Sequence, residues 1–143
     1  MAKVVSINTS EKKGIVKEPI ECGYVKMNFG LEGDAHGGDW HRQISLLGIE
    51  SFEKVQNKVS VKLVPGIFAE NITTEGIKLY ELPVGTKLSI GDAMLEITQI
   101  GKECHEGCAI MKCTGQCVMP KEGIFTKVLK EGFIYPGDEI KVI

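Results

Sequence analysis

The sequence has no apolar run approaching the ~20 residues needed to span a bilayer. Its longest uninterrupted apolar stretches are only a few residues. The chain opens Met1-Ala2-Lys3-Val4-Val5, which lacks the charged segment and following apolar run of a secretory leader. These absences make the cytosol the expected location and give no reason to expect a membrane partner. A large charge of one sign is also missing. The formal net charge of −2 supplies no electrostatic attraction for a nucleic acid. Internal repeats, low-complexity tracts and linker-like runs are absent, and 143 residues suit one domain, residues 1–143, with one core. The phosphate-binding signatures GxGxxG and GxxxxGK[ST] do not occur, and no nucleophile elbow supports Ser-His-Asp hydrolysis.

What is present is a succession of short apolar segments punctuated by 17 glycines. Lys3 to Asn8, Gly23 to Phe29 and Ile44 to Leu47 read as strands. Thr86 to Ile90 and Ala93 to Ile100 alternate in side-chain type around Gly91-Asp92, which predicts a hairpin. Gly33-Asp34 and Gly137-Asp138 repeat that punctuation, and Glu139 to Ile143 is again strand-like. Ile49 to Lys58 carries Ile49, Phe52, Val55 and Gln56 near helical spacing. Phe125 to Glu131 is a second helix candidate. Many short strands with one or two short helices predict a mainly β fold, a closed or nearly closed barrel, which also removes exposed strand edges.

Five cysteines stand at 22, 104, 108, 113 and 117, four of them within fourteen residues. In a reducing cytosol a disulfide framework is disfavoured, and an odd count leaves a thiol unpaired. The spacing C-x3-C-x4-C-x3-C with His105 beside Cys104 leaves three readings open. Cys104, Cys108, Cys113 and Cys117 could hold a structural zinc or iron–sulfur centre, although C-x2-C pairs are the usual zinc spacing. They could be small buried apolar residues. The third reading is a nucleophilic or sulfur-carrying thiol, whose thiolate fraction a cation such as His105, Lys102 or Arg42 would raise.

A second constellation runs from Gly33 to Gln43, where Asp34, His36, His41 and Arg42 concentrate polar function in a glycine-rich loop. The plainer interpretation is a solvated loop in which Asp34 caps a turn and Arg42 pairs with a carboxylate. A third segment, Gly66 to Gly76, holds Asn71 between apolar residues. Asn71 fits two roles: bonding to backbone to orient a loop, which is the commoner case, or reaching a ligand.

Taken in order, these segments resemble the MOSC family, found at the C-terminus of molybdenum cofactor sulfurases and as free-standing bacterial proteins. The resemblance rests on Gly33-Asp34-Ala35-His36-Gly37-Gly38, then Gly66-Ile67-Phe68-Ala69-Glu70-Asn71-Ile72 with Gly76. Val84-Gly85 with Ile90-Gly91 follow, and then Leu95 to Gln99 running into Cys104. It implies a MOSC-like β-barrel and marks Cys104 as the functional thiol. That thiol would carry sulfur as a persulfide or meet the molybdenum of a bound molybdopterin, to which thiolate is a suitable soft ligand. The same resemblance implies a pocket lined by Asp34, His36, Arg42, Glu70, Asn71, Lys102 and His105 around an anionic, phosphate-bearing cofactor. Lys102 stands near where family members often carry Arg, keeping the charge but losing the bidentate fork. The implied role is a binding or sulfur-transfer module without its own desulfurase domain. Its partners would be a cysteine desulfurase or a molybdoenzyme. The competing class is a non-catalytic protein with the four-cysteine metal site.

Overall fold

The structure, a computed structural model, describes residues 2–13, 15–101 and 122–143. In chain order the strands are β1 (Lys3–Thr9), β2 (Glu18–Ile20), β3 (Gly23–Lys26), β4 (Gly30–Leu31) and β5 (Ile44–Gly48). Helix α1 (Ile49–Gln56) follows, then β6 (Ile72–Glu75) and a 3-10 turn (Leu79–Glu81). The remaining strands are β7 (Lys87–Ile90), β8 (Ala93–Ile100), β9 (Ile124–Lys130), β10 (Gly132–Ile134) and β11 (Ile140–Val142). Eight strands form one sheet in the order β11-β7-β8-β9-β5-β6-β1-β2, and β10-β3-β4 form a second.

The predicted hairpin is present: Ile90 pairs with Ala93 across Gly91-Asp92, and Gly91 adopts the positive φ of +55° that the tight turn demands. Along β8 the period-2 pattern directs Ala93, Leu95 and Ile97 into the core while Met94, Glu96 and Thr98 are half-buried. Strand β5 is buried along its whole length. The strand expected from Gly23 to Phe29 ends early, because Asn28 at φ +58° turns the chain into β4.

Two expectations are corrected. Phe125 to Glu131 is not a helix. Phe125 to Lys130 belong to β9, a central strand paired with β8 on one side and β5 on the other, so the sheet satisfies its backbone groups on both edges. The large sheet also does not close into a continuous barrel. The edge of β1 that faces β11 is taken by β2 from Ile7 to Thr9. That leaves only its first residues to meet the C-terminal strand, through the Lys3–Glu139 bridge and the bonds Val4 N to Asp138 O and Ile140 N to Ala2 O.

The main core lies inside the large sheet and includes Ile7, Leu46, Ile72, Leu88, Leu95 and Ile124. A second cluster gathers under α1, where Phe52 and Val55 meet Leu47, Phe68 and Phe125. Phe52 and Phe68 pack edge-to-face with ring centroids 5.1 Å apart. Helix α1 ends at Gln56, whose side chain bonds Val61 O and accepts from Leu63 N. Among the described residues, no helix is long and apolar enough to cross a membrane, which says nothing of a β-barrel.

Candidate functional site

The loop from Gly33 to Gln43 is built on a buried carboxylate. Asp34 Oδ1 accepts from Ser10 N at 3.1 Å and from Lys17 Nζ at 2.7 Å, while Oδ2 accepts from His36 N at 3.1 Å. The side chains of Asp34 and Lys17 are both fully shielded from solvent. Burial opposes ionisation of Asp34. The hydrogen bond and charge of Lys17, helped by Asn71 and Ser10, outweigh that cost and hold its pKa below the ordinary carboxylate value. Lys17 Nζ also lies 2.9 Å from Ser10 Oγ and 3.0 Å from His36 Nδ1. The backbone of Lys17 approaches this closely because its N–H bonds Gly66 O at 2.8 Å. A Cβ on Gly66, at φ +92°, would collide with the Lys17 carbonyl.

The outer half of the loop is cationic and aromatic. Trp40 Nε1 donates to His36 O at 2.9 Å. The Arg42 guanidinium lies 4.7 Å from the Trp40 ring centroid and 5.5 Å from that of Phe125, and Lys13 Nζ lies 5.2 Å from Trp40. Arg42 Nε is buried with no hydrogen-bond partner among the described residues. His41 ties the loop to the end of β8: its Nε2 meets Gln99 Oε1 at 2.9 Å and its carbonyl accepts from Thr98 Oγ1. Just beyond β8, Gly101 N bonds Gly123 O at 2.7 Å, which joins the chain on the two sides of residues 102–121.

Glu70 and Asn71 stand behind this loop. Asn71 Oδ1 accepts from Ser45 N at 2.9 Å and Ser45 Oγ at 3.2 Å, and its Nδ2 donates to Asn8 O at 3.2 Å. This is the backbone-orienting role, tying the turn before β6 to β5 and β1. Glu70 has no exposed surface. Its carboxyl accepts from Gly66 N at 2.9 Å, Phe68 N at 3.2 Å and Thr73 Oγ1 at 2.6 Å. Desolvation outweighs these bonds and pushes its pKa up from 4.5 to about 7. The turn they hold contains Ala69 at φ +63°, a left-handed conformation that costs a non-glycine residue about 1–2 kcal/mol.

The structure therefore brings Asp34, His36, Glu70 and Asn71 into one connected hydrogen-bonded frame, with Arg42 on its outer side. Lys102, Cys104, His105, Cys108, Cys113 and Cys117 lie outside the described residues. Among the described residues, no three His, Cys, Asp or Glu side chains gather as a metal site, and Cys22 is exposed. Sequence reasoning missed Lys17, Ser10 and Trp40. A lysine between Val16 and Glu18 carries no local sign of burial, since its partners arrive from Ser10, Asp34 and His36. It also missed a cavity of about 350 Å³ beside α1, lined by Ser51, Lys54, Ile77, Leu79, Tyr80 and Glu122. Lys54 there bridges Tyr80 and Glu122.

Comparison with known proteins agrees with this architecture. The YuaD protein of Bacillus subtilis superposes with a TM-score of 0.80 at 20% identity, covering 99% of this chain and 94% of that one. YiiM from Geobacillus stearothermophilus superposes with a TM-score of 0.78 at 23% identity, covering 100% of this chain and 75% of that one. YiiM from Escherichia coli does so at 0.74 and 17% identity, covering 100% and 70%. At these identities the likeness is one of fold. No curated protein matches the chain in sequence. The model of the MOSC domain matches residues 32–141, a span holding the loop, the Glu70-Asn71 turn and Cys104, and the chain belongs to the MOSC domain family.

Proposed function

We propose that the chain is a molybdenum cofactor-related binding or sulfur-transfer module whose functional thiol is Cys104. The observation that carries this reading is the MOSC match across residues 32–141. It is supported by the way the 33–43 loop is fastened to the end of β8, the strand that leads toward Cys104. In this reading His36, Arg42, Lys102 and His105 line the pocket. Asp34, Glu70 and Asn71 act one layer behind, holding the lining in place.

The donor chemistry of the loop suits an anionic, phosphate-bearing cofactor. Arg42 offers a buried Nε without a partner among the described residues, and leaving such a donor unpaired costs roughly 1–3 kcal/mol. An acidic ligand group supplies the acceptor it lacks. The charge of Asp34, whose Oδ2 accepts from His36 N, is already offset by Lys17. A molybdenum cofactor, when bound, would supply the metal that a soft thiolate such as Cys104 suits. The chain's own groups would bind its phosphate and exclude water.

As a sulfur carrier, the Cys104 thiolate would attack the terminal sulfur of a persulfide on a donor protein, such as a cysteine desulfurase. A Cys104 S–S bond forms, the donor's S–S bond breaks, and the donor leaves as a thiolate with no net oxidation. A molybdoenzyme is the corresponding acceptor, and the cytosol is where such thiols persist reduced. The test is molybdenum and pterin content, with bound sulfane sulfur, in wild type and Cys104→Ser expressed alongside cofactor synthesis. Loss of all three in the folded variant is expected. Full loading of Cys104→Ser overturns the assignment.

A further inference from the structure

Lys17 belongs to none of the segments that carry the family resemblance, yet its side chain is completely buried at the candidate site. Its Nζ lies 2.7 Å from Asp34 Oδ1, 2.9 Å from Ser10 Oγ and 3.0 Å from His36 Nδ1. An ammonium group has donors and no acceptor, so His36 Nδ1 must accept and therefore carries no proton. The competing arrangement has Nδ1–H donating to Asp34 Oδ2, which lies 3.9 Å away. That distance is too long for a hydrogen bond, and the 3.0 Å contact decides the matter. A neutral imidazole with a bare Nδ1 holds its proton on Nε2.

We infer that Lys17 is a positioning residue that holds His36 as the neutral Nε2–H tautomer, so that an atom meeting Nε2 must be a hydrogen-bond acceptor. The backbone that carries the ring is fixed on both sides: His36 N donates to Asp34 Oδ2 at 3.1 Å, and His36 O accepts from Trp40 Nε1 at 2.9 Å. About a quarter of the side chain is exposed (27%).

The fixed proton selects the chemical class of the contacting atom. A phosphate or carboxylate oxygen, or a thiolate, can accept from Nε2–H. A divalent metal cannot bind Nε2 until the proton moves to Nδ1, where Lys17 already donates. Metal binding at His36 therefore has to break the Lys17–His36 bond.

The ligand class rests on the proposed function, whereas the tautomer does not, so the experiment uses the full chain without cofactor. Ring ¹⁵N shifts of His36 are recorded at neutral pH in wild type and in the Lys17→Met/Asp34→Asn double variant. The double variant is preferred because Lys17→Met alone would leave Asp34 buried and unpaired. Wild type should show an unprotonated Nδ1 and a protonated Nε2, and the double variant a mixture of tautomers. Lys17→Arg, which retains a donor-only cation, should restore the wild-type pattern where it folds.

Zinc ions alone, titrated as a probe, should perturb the His36 ring of the double variant at about tenfold lower concentration than in wild type, the worth of one hydrogen bond. A protonated Nδ1 in wild type, an unchanged tautomer in the double variant, or equal zinc sensitivity overturns the inference. Failure of the chain to retain a cofactor would count against the proposed function and leave the ¹⁵N result unaltered.

Discussion

Replacing Glu70 by glutamine should change how stability depends on pH, with a sign set by the burial of the carboxyl. Glu70 titrates near 4.5 when solvated and at about 7 in the folded chain. Below pH 4.5 both states hold the proton and the group contributes no pH dependence. Between 4.5 and 7 the unfolded chain releases its proton first, so the folded state binds more protons and stability falls as pH rises. At about 1.4 kcal/mol per pKa unit, the full fall is about 3 kcal/mol by about pH 8. An amide at this position cannot titrate, so Glu70→Gln lacks this slope.

The variant also carries a constant penalty of roughly 1–3 kcal/mol, because an amide NH₂ would face donors. Gly66 N and Thr73 Oγ1 both point at Oε2, and Phe68 N points at Oε1. The assay is urea unfolding of both proteins at about pH 4.5, 6 and 8. The informative quantity is wild-type minus variant stability, which should fall by about 3 kcal/mol across that range, from about 1–3 kcal/mol in favour of wild type to about zero or below. Parallel stability curves would mean that Glu70 ionises in the fold as readily as in water, and would refute the reasoning.

Asp34 should behave in the opposite sense. Its folded pKa is depressed, so its contribution is present above the unfolded value and is lost as pH falls through the lower folded one. Acid unfolding below pH ~4 should therefore be steeper in wild type than in the Lys17→Met/Asp34→Asn variant, and equal steepness would remove Asp34 as the cause. Lys17→Met alone should cost about 3–5 kcal/mol, the loss expected when one member of a buried ion pair is removed. The double variant should recover part of that loss in urea unfolding. Asn71→Ala should cost about 1–3 kcal/mol by stranding Ser45 N and Asn8 O. A loss within error would show that the bonds are replaced by others.

Features encoded by near neighbours were legible in the sequence. The Gly91-Asp92 hairpin and the alternation of β8 are local, and both appear as expected. The order of motifs from Gly33 through Gly66 to Leu95 was enough to identify the family that residues 32–141 match. The strand β9 was misjudged because Phe125 to Glu131 has no strict alternation. Phe125 and Thr126 are both buried, and only the flanking strands β8 and β5 make an extended conformation the satisfied one. The sheet stays open because β2 occupies the edge of β1, which no local pattern announces. Lys17 was invisible for a related reason, since three partners from separate turns define its environment. The alternatives posed for Asn71 could be separated only once Ser45 and Asn8 were seen beside it.

The most direct test of the central claim is the intact mass of the chain, purified without oxygen or added reductant, beside Cys104→Ser and with metal content measured on both. The account predicts a wild-type species heavier by one sulfur atom and lost on mild reduction, or one bearing a pterin with molybdenum. Either species should be absent from Cys104→Ser. Retention of the adduct in Cys104→Ser, or a chain with one zinc and no added sulfur or pterin, would contradict it.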